Sequence, residues 1–163
     1  MDKQDQFTAA IKANESFIFK IAAVYTNTSD DKKDLVQEIL FQLWKSFDSF
    51  QEKSSVATWI YRVALNVALY QMKLSKKRFA TIAIEDDLLK IQDFDNEETE
   101  QRWKIFKQQI DILNPLDKAI VMLYLEEKTH EEIADIIGIS KSNVGTKLQR
   151  IKEKLKSNIK KII

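Results

Sequence analysis

The sequence predicts an all-α protein: two small helical domains joined by an acidic linker, the second of them a helix-turn-helix domain. Three observations lead there. Only two glycines (Gly138, Gly145) and one proline (Pro115) occur in 163 residues, too few for a turn-rich β fold or a Gly-rich phosphate loop. Hydrophobic residues, 44% of the chain, recur at spacings of three and four, the period of a helix with one buried face. The net charge of +1 conceals a partition: twelve basic and nine acidic side chains over residues 1–79, one and eight over 80–100, and thirteen and eight over 101–163. The acidic stretch has no sustained apolar period and reads as a linker between domains at 1–79 and 101–163. Its charge opposes that of both flanks, so in the free protein it is expected to fold across their basic surfaces.

Composition excludes much chemistry. There is no cysteine and one histidine, His130, so Cys-bearing metal sites, thiol nucleophiles and a His cluster for zinc are ruled out, and no cofactor is expected. The longest run without Asp, Glu, Lys or Arg, Val63 to Met72, is too short to span a membrane, and the first residues lack the basic start and apolar core of a signal peptide. A cytoplasmic protein without membrane insertion is expected.

In the first domain a helix from Phe7 to Thr26 is followed by one that Asp30 or Asp31 can cap, with Leu35, Val36, Ile39, Leu40, Leu43, Trp44 and Phe47 on its core face. Phe41 breaks the pattern: it falls on the opposite face with Asp34, Gln37 and Glu38. Either the first helix covers it or the four residues form a partner-binding stripe. The next helix, about Val56 to Lys76, has two apolar faces, Ile60, Val63, Val67 and Leu74 on one and Tyr61, Leu65, Ala68 and Met72 on the other. Its remaining stripe carries Arg62, Asn66 and Lys73, flanked by Trp59 and Tyr70, and it ends in Lys76, Lys77 and Arg78. Cations for phosphate, an amide for base edges and rings for stacking suit nucleic acid. Equally, Trp59 and Tyr70 at these positions suit the edge of a core.

The second domain carries the sharper pattern. Asn114-Pro115 caps and opens a buried helix through Ala119-Ile120-Val121-Met122-Leu123-Tyr124-Leu125. Thr129-His130-Glu131-Glu132 is a capping box, Ile133, Ala134 and Ile137 form the inner face of a short helix, and Gly138 ends it. Ser140 caps the last helix, whose inward stripe is Val144, Leu148, Ile151 and Leu155. Its outward set, Lys141, Ser142, Asn143, Thr146, Lys147, Gln149 and Arg150, has the residue types that read a major groove. Residues 141–163 hold eight basic side chains against one acid, which predicts salt-dependent phosphate binding. His130, at a helix start, reads as a surface side chain.

Taken together, these segments resemble the extracytoplasmic-function sigma factors of bacterial RNA polymerase. Asp34 to Trp44 resembles the family's polymerase-docking helix, and Thr58 to Ala68 its minus-ten-reading helix. Leu113 to Lys118 and Thr129 to Ser140 resemble the domain whose final helix reads the minus-thirty-five element. The resemblance implies a non-enzymatic sigma factor that binds core RNA polymerase through Asp34, Gln37, Glu38 and Phe41. It also implies that Trp59, Arg62, Asn66, Tyr70, Lys73, Lys76, Lys77 and Arg78 bind melted non-template strand, and Lys141, Ser142, Asn143, Thr146, Lys147 and Arg150 upstream duplex. An anti-sigma factor is a further candidate partner. One departure stands out: where many members have a basic residue, the recognition helix has Gly145. The competing reading is a two-domain helix-turn-helix regulator bound to an operator; a metal-dependent phosphodiesterase using Glu85, Asp86 and Asp87 is the remaining enzymatic one.

Overall fold

In a computed structural model of the chain, residues 2–50, 54–79 and 97–162 are described. The acidic residues 80–96, and with them the expected tether and its masking role, lie outside that set. The chain divides into two compact units, Met1–Lys90 and Ile91–Ile163, and every described element is helical.

The first unit holds α1 (Lys3–Tyr25), α2 (Ser29–Ser46), a 3-10 turn (Phe47–Ser49) and α3 (Val56–Phe79), each helix packing on the other two. Phe17, Ile18, Ile21 and Val24 of α1, Leu35, Ile39 and Leu43 of α2, and Ile60, Ala64 and Leu65 of α3 make the core. Thr28, not Asp30 or Asp31, caps α2: its hydroxyl accepts from the Asp31 N–H at 3.0 Å. The two aspartates lie in the first turn, where their charge complements the positive helix pole. Ser55 caps α3, accepting from the Thr58 N–H at 3.1 Å.

Two expectations about this core need correction. Trp44 is not a core residue; 39% exposed, it packs edge-on to Phe7 with ring centroids 5.1 Å apart, and the Lys3 ammonium lies 4.2 Å from its ring. Helix α3 buries one contiguous face, Ile60, Tyr61, Ala64, Leu65 and Ala68, rather than two. Val63 and Val67 are half-buried and Leu74 is exposed. Among the described residues α1 and α2 are the helices that pack on α3, and they leave the side bearing Leu74 exposed.

The second unit holds α4 (Glu97–Ile110), α5 (Pro115–Leu125), α6 (His130–Ile137) and α7 (Lys141–Ile162). Helix α4 begins upstream of residue 101, because Glu97, Glu98 and Glu100 suit a helix first turn by the same dipole argument. Ile110, Leu113, Ala119, Ile120, Leu123, Ile133, Ile136, Val144, Leu148 and Ile151 form the core. Ile136, rather than Ala134 or Ile137, is buried beside Ile133, since three residues bring the chain back to the same face of so short a helix. Tyr124 and Leu125, expected inside, are exposed, and the Lys152 ammonium lies 4.8 Å from the Tyr124 ring. Leu155, also expected inside, is only half-buried. At the α4–α5 corner the Asp111 carboxylate accepts from Lys107 at 2.9 Å and Lys118 at 3.1 Å. Burial lowers the Lys107 pKa, and Asp111 works against that shift.

Candidate nucleic-acid interface

On α2, core residues Leu35, Ile39 and Leu43 occupy one side, and Asp34, Gln37 and Phe41 stand exposed on another. Phe41 is 56% exposed, so α1 does not cover it. Glu38 is half-buried and accepts a hydrogen bond from the Gln42 side-chain amide at 3.0 Å. It lines a groove between α2 and α3, unlike the three exposed members of its stripe.

Glu38, Gln42 and Ser46 from α2 face Val63, Asn66, Val67, Tyr70 and Gln71 from α3 around an open space of about 390 Å³. Asn66 and Tyr70, the latter 61% exposed, therefore meet Glu38 in one concavity. Sequence periodicity placed these residues on separate helices and gave no site role to Gln42, Ser46 or Gln71. Helical spacing reports neighbours within a helix, and only α2–α3 packing sets which residues meet across it. The groove pairs apolar walls (Val63, Val67) with an aromatic ring, three amides and a carboxylate, donors and acceptors of the kind that contact an unpaired base.

Other members of the predicted α3 stripe are placed differently. Lys73 is exposed and Arg62 half-buried. Trp59 is half-buried in an aromatic cluster, its ring 5.0 Å from Phe50 and 6.0 Å from Phe47, and Phe47 lies 5.4 Å from Phe7. It thus joins α3 to the 3-10 turn and the start of α1. Lys76, Lys77 and Arg78 fall in the last turns of α3.

In the second unit, Thr129 and Glu132 form the capping box: the Glu132 N–H donates to the Thr129 hydroxyl at 3.1 Å, and the Thr129 N–H donates to the Glu132 carboxylate at 3.0 Å. That backbone hydrogen bond holds the Glu132 carboxyl below its ordinary pKa. Gly138 ends α6 at φ +87°, a left-handed conformation open to glycine at little steric cost. Ser140 then accepts from the Asn143 N–H at 3.0 Å, starting α7. The result is a short helix, a tight turn and a second helix with Lys141, Ser142, Asn143, Thr146 and Arg150 exposed and Lys147 half-buried. Gly145 lies between them; a Cβ there would stand 3.7 Å from Nδ1 of His130. Sequence reading took His130 as an isolated surface residue and missed this contact between α6 and α7.

Among the described residues no group of three His, Cys, Asp or Glu side chains could hold a metal ion, and no helix is long and apolar enough to cross a membrane.

Comparison with known proteins agrees with this geometry. The Sigma-70 region 2 family model matches residues 10–78, which contain the α2–α3 groove, and the Sigma-70 region 4 model matches residues 104–155, which contain the helix-turn-helix. The ECF RNA polymerase sigma factor SigG of Mycobacterium tuberculosis is 40% identical over 53 residues, 32% of this chain but only 14% of that protein. The ECF RNA polymerase sigma-E factor of Haemophilus influenzae is 26% identical over 158 residues, covering 88% of this chain and 84% of the relative. Among solved structures, the sigma factor RpoE from Bartonella quintana, in complex with the anti-sigma factor NepR, has the same fold. Its TM-score is 0.68 at 19% identity, with 96% of each chain covered. With region 2 and region 4 in that order over most of its length, the chain belongs to the sigma-70 family, among its extracytoplasmic-function sigma factors.

Proposed function

We propose that this chain is the promoter-specificity subunit of a bacterial RNA polymerase, a non-enzymatic protein that binds the core enzyme in the cytoplasm and directs transcription initiation. The observation that carries this is the joint exposure of two unlike surfaces, the Phe41 stripe and groove of α2–α3 and the polar face of α7, in regions 2 and 4 of one chain. Residues 1–79 dock on the polymerase through Asp34, Gln37, Glu38 and Phe41. The same unit takes melted non-template strand along α3, where Tyr70 and Trp59 stack on bases, Asn66 reads a base edge, and Arg62, Lys73, Lys76, Lys77 and Arg78 meet phosphate. The acidic segment ahead of α4 tethers this unit to the second. Residues 101–163 hold upstream duplex: Asn143, near the α7 N-terminus, reaches a base, while Lys141, Ser142, Thr146, Lys147 and Arg150 contact the backbone and groove. An anti-sigma protein is a further partner, as it is for the Bartonella relative.

The test is transcription in vitro with purified core polymerase and genomic DNA, followed by mapping of start sites. Transcripts from a defined promoter set that require this chain are expected. Duplex binding with no chain-dependent transcripts would overturn the proposal in favour of an operator-binding regulator.

A further inference from the structure

We infer that His130 is itself a DNA-contacting residue, supplying from α6 the hydrogen-bond donor that the recognition helix lacks at Gly145. The inference rests on the helix-turn-helix reading above and adds a residue to that surface. Lys141, Gly145 and Gln149 form an i, i+4, i+8 row along α7. Lys141 and Gln149 are exposed and polar, one turn either side of a residue with no side chain; Lys141 carries an ammonium, and the Gln149 amide donates one of its two N–H groups to Glu153 at 3.2 Å, which leaves the other. The gap is not empty. His130 is exposed as the first residue of α6, and its imidazole lies over the glycine, with Nδ1 3.7 Å and Cε1 3.9 Å from the position of a Cβ.

The capping box just beside it, closed by two hydrogen bonds of 3.0 and 3.1 Å, fixes the start of α6. The backbone that carries His130 is therefore fixed, and its ring reaches the row from a second helix. Each neutral tautomer of imidazole keeps one N–H, so the ring donates to a phosphate oxygen without needing to gain a proton. A longer side chain at 145 would start in ordinary contact with the ring and compete for its place. His130 and Gly145 thus act as one unit: the glycine makes room and the histidine fills the position.

The experiment measures affinity of the full-length chain for a fluorescein-labelled mixed-sequence duplex at several salt concentrations, with thermal unfolding of each variant as a fold control. His130→Leu, which keeps apolar cover over Gly145 but has no N–H, should bind about three- to tenfold more weakly, as expected for the net loss of one solvent-exposed hydrogen bond. His130→Gln, which keeps a donor, should recover most of that loss. Gly145→Lys should bind at least as tightly as the parent, and in its background His130→Leu should cost nothing. Parent-like binding by His130→Leu, or equal losses in the Leu and Gln variants, would overturn the inference. An undiminished His130→Leu effect in the Gly145→Lys background would overturn it too. Arg150→Ala separates the two readings: if it lowers affinity and His130→Leu does not, only the His130 assignment fails. If neither does, the helix-turn-helix reading itself falls.

Discussion

The two units expose surfaces of unlike chemistry. The first leaves Phe41 and Tyr70 in solvent on a three-helix bundle and places a mixed apolar and amide groove between α2 and α3. The second exposes a row of small polar and cationic side chains on one helix, set by a capping box, a left-handed glycine and a serine cap. The difference teaches how each contact is driven. On the proposed reading, docking of the first unit on the polymerase through Phe41 draws on buried apolar area, which salt affects little, whereas duplex binding by the second draws on phosphate neutralisation and counterion release, which salt opposes steeply.

The largest expected effect breaks the comparison on the apolar side. A Phe41→Ala, Glu38→Lys double substitution should weaken competition for core polymerase by about 100-fold, the loss typical of a central aromatic anchor with a reversed charge beside it. The share lost with Phe41 should be nearly the same at low and high salt, and the share from the reversed charge at Glu38 should shrink as salt rises, which the two single variants separate. A folded double variant that competes undiminished would show that the Phe41 stripe is not the docking surface.

The next effect is smaller and lies on the charged side. Asn143→Ala should erase about 1–3 kcal/mol of discrimination between preferred and altered upstream sequences, whereas Lys147→Ala should weaken binding to all duplexes alike and reduce the salt slope by about one. Binding to a panel of single-base variants over a salt series separates the two. If Lys147→Ala changes sequence preference and Asn143→Ala does not, the roles are reversed.

How far each surface was legible in the sequence follows from the same difference. Caps and turns are local, so Thr129, Glu132, Gly138 and Ser140 announced the helix-turn-helix, and the structure has each hydrogen bond they predict. The Phe41 anomaly was also legible, because one residue off the apolar period is visible without a fold. What could not be read was contact across helices: Glu38 turning to Gln42 beside Asn66, Trp59 joining Phe47 and Phe50, His130 lying on Gly145. Tyr124 and Leu125 misled for a related reason. An unbroken apolar run says that a helix is buried but not where its cover ends, and here the cover ends at Leu123, two residues before the helix does.

A pH titration sharpens the comparison within the second unit. The Thr129 N–H holds the Glu132 carboxyl below its ordinary pKa, so its charged form is favoured by folding. The sign follows: the stabilisation is present above the unfolded carboxylate value, about 4.3, and is lost as pH falls through the lower folded one. Thermal unfolding across that window should show an acid-side loss that Glu132→Gln flattens. The first unit's α2 cap, a threonine hydroxyl with no reciprocal carboxylate among its described contacts, should show no counterpart at Thr28. Unchanged acid sensitivity in Glu132→Gln would remove the capping box from the account.

The smallest effect concerns Gly145. Mid-helix glycine costs about 0.5–1 kcal/mol relative to alanine, because its backbone loses more freedom on folding. The new methyl would stand 3.7 Å from the His130 ring, an ordinary van der Waals distance that requires no shift. Gly145→Ala should therefore stabilise the protein by about that amount, read as a rise of a few degrees in Tm, and leave duplex affinity unchanged because the imidazole keeps its place. The affinity decides what the glycine is for. If Gly145→Ala raises Tm and also weakens duplex binding, the missing side chain serves close approach of α7 to the DNA backbone. In that case both surfaces depend on shape, and the contrast between an apolar first unit and a charge-driven second one would have to be redrawn.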